Sequence, residues 1–116
     1  MSKRNNFLLL TDIIDSINYI EEYLKPLDEK DFYNDRKTKD AVVRNLEIIG
    51  EAANQITIDF KNKYPAVEWR EAADLRNKII HDYSGLDYVL LWEIITLNLP
   101  SFKHKVIMLL DNKDEF

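Results

Sequence analysis

The 116-residue sequence has no cysteine, two histidines, two glycines and three prolines. Without cysteine there is no disulfide, no thiolate metal site and no thiol nucleophile, and the cytoplasm is the default compartment. Glycine far below its usual share of roughly 7% implies long regular elements and few tight turns. Long apolar runs are also missing. The stretches Phe7 to Leu10 and Val106 to Leu110 fall well short of the roughly 20 apolar residues of a membrane span. The start, Met1-Ser2-Lys3-Arg4-Asn5-Asn6, is basic, but Asp12 and Asp15 interrupt the apolar stretch behind it, which does not fit a signal peptide. A chain of this length buries roughly two-thirds of its unfolded surface, enough for one core. The expectation is one soluble, intracellular domain over residues 1–116, away from membranes.

Positive charge is in short supply. Sixteen Lys and Arg face 21 Asp and Glu, a net charge of -5. That excludes a protein whose whole surface attracts nucleic acid, so any polyanion contact must be local. Residues 1–60 carry 8 basic and 12 acidic side chains and residues 61–116 carry 8 and 9, so the second half is nearly neutral.

What is abundant is helical periodicity. Leu10, Ile13, Ile14, Ile17, Ile20 and Leu24 follow one helical face, and Lys25-Pro26 ends that first helix. Residues 26–35 read as a polar connection with a short turn near Phe32-Tyr33. Asp35 is a suitable N-cap for a second helix over about 36–60, carried by Val42, Leu46, Ile49, Ala53, Ile56 and Phe60. Gly50 inside it costs about 1 kcal/mol relative to Ala and marks a place where another backbone comes close. A third helix spans about Glu68 to Tyr83 and stops at Ser84-Gly85. Asp87 caps a fourth, and Asn98 with Pro100 opens a fifth. No period-two run or internal repeat exists, so the expected fold is all-α, an up-and-down bundle of four to five helices.

Few residues could carry chemistry. His81 and His104 stand apart from any second ligand at metal-motif spacing, and Gly50 and Gly85 are too isolated for a phosphate loop, so no metal or cofactor is expected. One cluster stands out: Leu75-Arg76-Asn77-Lys78-Ile79-Ile80-His81-Asp82-Tyr83. On a helix Arg76 and Tyr83 share a face, Asn77 and His81 share another, and Arg76 and His81 differ by roughly 140° around the axis. A groove across such a helix would meet the Arg on one wall and the His on the other, and a two-fold axis would double the pair into one cleft. The pair suits phosphoryl transfer without metal, since Arg forks onto phosphate oxygens and imidazole moves protons near neutral pH. RNA fits because its 2′-OH is a built-in nucleophile. The same residues also fit an ordinary helix end, with a His favouring the dipole and Tyr83 packing on the core. Glu47 and Glu51, four apart, read first as a solvated face, and Arg44 either joins a phosphate cleft or pairs with an acidic neighbour. Arg36-Lys37-Thr38-Lys39 and Lys103-His104-Lys105 are the remaining basic clusters. Trp69 and Trp92 read as core or interface anchors.

Two stretches bear a resemblance that covers essentially the whole chain. Arg44-Asn45-Leu46-Glu47-Ile48-Ile49-Gly50-Glu51-Ala52-Ala53 resembles the second-helix signature of the HEPN-superfamily ribonuclease toxins of the HepT type, partners of minimal nucleotidyltransferase (MntA-type) antitoxins. Trp69-Arg70, then Arg76 to Tyr83, then Trp92-Glu93 and Leu99-Pro100 resemble its catalytic half. The resemblance implies a helical homodimer that cleaves RNA without metal. Arg76 and His81 match the catalytic pair, Asn77 and Asp82 take supporting positions, and Tyr83 matches the tyrosine to which the antitoxin transfers AMP. Arg44, Glu47, Glu51 and Lys78 are further candidates for the cleft. Leu75 stands where many relatives have Met and Asp82 where Gly is frequent, and a carboxylate beside His81 bears on rate and RNA attraction. The alternative is a non-catalytic nucleotide- or partner-binding subunit of a nucleotidyltransferase complex.

Overall fold

Asn5 accepts the Leu8 N–H at 2.9 Å and starts α1 (Asn6–Leu24), which buries Leu10, Ile13, Ile17 and Ile20. The computed structural model describes residues 4–116; Met1, Ser2 and Lys3 of the basic start lie outside the described residues. The stretch after Lys25-Pro26 is more ordered than a polar connection. Asp28 caps a short α2 (Glu29–Asn34), which forms because it drives Phe32 completely out of water. The Phe32 ring lies 5.3 Å from that of Trp92 and 6.3 Å from that of Tyr88. Burying one Phe side chain contributes about 1.5–3 kcal/mol, which a single polar-looking hexapeptide does not advertise.

Asp35 caps α3 (Arg36–Gln55) as expected, its carboxylate accepting the Thr38 N–H at 3.0 Å. The helix ends at Gln55, before the expected residue 60. Ile56 turns extended (φ -55°, ψ 137°), and a separate α4 (Ile58–Lys63) carries Phe60. Ile56 and Phe60 are both buried, so the apolar spacing runs straight through the break and conceals it.

Helix α5 (Trp69–His81) likewise stops two residues before Tyr83, because Asp82 leaves the helical region (φ -140°, ψ 44°). Tyr83–Gly85 is a 3-10 turn, and Asp87 then caps α6 (Tyr88–Glu93) through the Leu90 N–H at 3.1 Å. Helix α7 (Leu99–Leu110) begins as expected, with Asn98 at its N-cap and Pro100 in its first turn, but it is not set off from α6. A π-helical segment, Ile94–Asn98, joins α6 to α7 with no loop, and the Leu99 N–H bonds the Ile94 carbonyl five residues back. Pro100 explains the wider register: it has no N–H, and in an α turn its ring would strike the carbonyl four residues earlier.

The long members are thus α1, α3, α5 and the α6–α7 rod, an all-helical bundle with no strand among the described residues. Helix α3 packs along both α1 and α5. The α3–α5 crossing falls on Gly50: a Cβ there would run into Arg76 Cβ and lie 2.6 Å from the Ala72 carbonyl oxygen. The glycine expected from sequence to admit another backbone does so, and the backbone it admits carries Arg76. No helix among the described residues is long and apolar enough to cross a membrane.

Candidate active site

Arg76 leaves α5 at its closest approach to α3. Its Nη2 lies 2.9 Å from Glu51 Oε2, and its Nη1 donates to Asn77 Oδ1 at 2.9 Å. The guanidinium opens into a cleft of about 240 Å³ between α1, α3 and α5, lined by Arg44, Glu47, Glu51 and Gln55 of α3, Ile80 of α5, Asp12 of α1, and Arg4 ahead of α1. Glu47 and Glu51, which spacing alone reads as a solvated face, are therefore cleft walls. Arg44 does both things open to it: it lines the cleft and approaches Glu47 at 3.8 Å. Arg4 closes a two-pronged bond on Asp12, at 2.8 and 2.9 Å.

His81 is exposed at the last residue of α5 and is not among the residues lining that cleft. One chain therefore does not bring the expected Arg and His walls into a single groove. Lys78 and Asn77 are exposed too, and Lys78 offers its carbonyl to the Asp82 N–H. The Asp82 carboxylate folds over Gly85, where a Cβ would sit 2.6 Å from its Oδ1.

Tyr83 differs most from expectation. Because α5 ends at His81, helical register does not carry Tyr83 onto the Arg76 face. Its hydroxyl instead donates to Asp40 Oδ1 of α3 at 2.7 Å, and Asp40 stands 3.9 Å from the Arg36 guanidinium. The ring is half exposed rather than packed in the core. The bond to Asp40, with smaller contributions from desolvation and the carboxylate's charge, pushes the phenol above its ordinary range. A hydrogen bond to a carboxylate has the same direction at Tyr33, whose bond to Glu29 is the main cause raising it to about 12.

The basic clusters are partly committed. Lys103 pairs with Glu21 and Lys105 with Glu68, and Lys39 lies over the Tyr88 ring at 4.6 Å, whereas Arg36 is almost fully exposed and stands 3.9 Å from Asp40. Trp69 is a buried anchor whose indole N–H bonds the Tyr64 carbonyl at 3.0 Å, and Trp92 packs on the core. Sequence reasoning did not find Arg4, Asp12 or Asp40. Each enters through contact between helices distant in the chain, for which neither periodicity nor spacing carries a signal.

An all-α bundle whose central crossing fixes an arginine in a cleft, with a histidine little more than one turn further along the same helix, fits a HEPN-type helical domain. The chain belongs to the HepT-like ribonuclease family: the family described as "Ribonuclease HepT-like" matches residues 13–109. It is 45% identical over 106 residues to "Putative RNase MJ1380" of Methanocaldococcus jannaschii, covering 91% of this chain and 97% of that one. It is also 45% identical over 103 residues to "Probable ribonuclease HepT" of Thermococcus cleftensis, covering 89% and 94%. A relative from Caldanaerobacter subterraneus, "Putative RNase TTE0752", is 36% identical over 97 residues, covering 84% and 87%. No solved structure matches the chain.

Proposed function

We propose that this HepT-like ribonuclease is the toxin of a toxin–antitoxin pair: a metal-independent RNA endonuclease acting through Arg76 and His81 in the cytoplasm, silenced when an MntA-type nucleotidyltransferase attaches AMP to Tyr83. The observation that carries the chemistry is Arg76, whose Cβ packs against Gly50 and whose guanidinium is held by the Glu51 carboxylate in a cleft, on the same helix as a solvent-facing imidazole. A backbone phosphate replaces the Glu51 carboxylate on the Arg76 fork, and the guanidinium then stabilises charge developing on the phosphoryl oxygens. His81 moves the proton: the RNA 2′-oxygen forms its bond to phosphorus, the bond to the 5′-oxygen breaks, and the 2′-OH proton passes out as the 5′-oxygen gains one. Asn77 orients the guanidinium, and Lys78 adds charge beside it.

A homodimer completes the site. His81 lies outside the cleft of its own Arg76, and a two-fold pairing of α5 ends would set the imidazole of one protomer toward the arginine of its partner. Nucleotidyl transfer forms a bond from the Tyr83 oxygen to the α-phosphorus of ATP as the α–β phosphoanhydride breaks and pyrophosphate leaves; it releases the Tyr83 proton that now points to Asp40 and places a phosphodiester beside Asp40 and Arg36. The added charge and volume lie two residues from His81, where they obstruct RNA.

The chemistry is tested by an RNA strand in which the ribose at the cut position lacks its 2′-OH. That strand is expected to survive at the modified position, in EDTA, while the all-ribose strand is cut; equal cutting of both contradicts the proposal.

A further inference from the structure

The cleft that holds Arg76 contains three arginines, and they are not equivalent. Arg4 is closed: both prongs of its fork are taken by Asp12, at 2.8 and 2.9 Å. Arg76, at 32% side-chain exposure the most enclosed of the three, touches Glu51 at 2.9 Å. Arg44 is the open one. Its side chain is 69% exposed, and its one carboxylate partner, Glu47, stands at 3.8 Å, beyond a normal hydrogen bond. Arg44 and Arg76 project into one cleft from two helices locked together at Gly50, so that contact sets their relative placement.

We infer that Arg44 is a second phosphate-binding residue, taking the backbone phosphate next to the one that Arg76 holds, so that the cleft grips two consecutive phosphates of single-stranded RNA. This rests on the reading of the cleft as the RNA site. Glu51 and Glu47 act as resident counter-ions, which is how a protein of net charge -5 keeps two guanidinium groups in one cleft ready for a polyanion. Arg4, saturated by its own carboxylate, contributes no phosphate contact.

The test measures binding rather than cutting. In a His81→Ala background, the affinity for a short single-stranded oligouridylate is followed against salt concentration. Each phosphate contact on a single strand contributes about 0.7 to the slope of log affinity against log salt. Arg44→Ala and Arg76→Ala are each expected to weaken binding and flatten the slope by about 0.7, whereas Arg4→Ala, which removes the same charge from the same cleft, leaves the slope in place. If Arg76→Ala flattens the slope and Arg44→Ala does not, the second phosphate site is wrong and the cleft stands. If neither does, the cleft is not the RNA site. A slope lost equally with Arg4→Ala would make the effect one of bulk charge and overturn the assignment of Arg44.

Discussion

Tyr83 and Asp40 are the residues on which the proposed modification turns. The phenol is half exposed, so a nucleotidyltransferase can reach it, yet its hydroxyl is held in one direction by the Asp40 carboxylate at 2.7 Å. That bond raises the phenol's pKa above its ordinary range, and the same carboxylate is placed to receive the proton that the proposed transfer releases. Co-expression with a partner nucleotidyltransferase, followed by intact-mass measurement, is expected to show AMP-sized additions on the native chain and none on Tyr83→Phe. Additions that persist in Tyr83→Phe would mean that another residue is the acceptor. The sequence pointed at Tyr83 through its place behind Arg76 and His81. It could not point at Asp40, which lies 43 residues away and meets the tyrosine only because the 3-10 turn swings Tyr83 off α5 and back toward α3.

At the scale of elements, the α3–α5 crossing does the positioning. Gly50 lets the α5 backbone come close enough for the base of the Arg76 side chain to rest where a Cβ would otherwise be. In Gly50→Ala, helix propensity improves by about 1 kcal/mol, but overpacking against the backbone at Ala72 costs about 1–3 kcal/mol. The expected result is a net loss of roughly 1 kcal/mol in denaturant unfolding, together with loss of ribonuclease activity as α5 is pushed from α3; a more stable, fully active Gly50→Ala protein would contradict this role for the crossing. The crossing was legible in sequence because a lone glycine weakens a strongly periodic helix, and close packing of a second backbone is what offsets that weakness. The Asp35 and Asp87 caps were legible for a similar reason, since a carboxylate immediately before a periodic run has a defined local use. Three boundaries were not. The break at Ile56 leaves the apolar spacing intact, α2 is held by tertiary burial of Phe32, and the π turn before Pro100 joins the fourth and fifth expected helices into one rod.

At the scale of the whole molecule, the charge arithmetic takes on a specific form. An acidic protein can bind a polyanion by keeping its positive potential in one place, and in the proposed RNA site Arg44 and Arg76 share a cleft while Lys103 and Lys105 are paired elsewhere. Of the two histidines, His104 lies exposed on α7, and His81 ends α5, exposed to solvent and not among the residues lining the cleft of its own Arg76. The two proposed catalytic side chains were legible as a pair, but their separation within one chain was not, because helical spacing gives directions around one axis and says nothing about which neighbouring helices build a groove. The proposed homodimer would be a two-fold pair of 13.8 kDa chains. The most direct measurement is RNA cleavage by the purified protein in excess EDTA, compared with Arg76→Ala and His81→Ala. The native protein is expected to cut, and each variant to lose about 10²–10⁴-fold in rate while remaining folded. Undiminished cutting by both variants, or cutting that stops when EDTA is added, would contradict a metal-independent Arg76 and His81 mechanism.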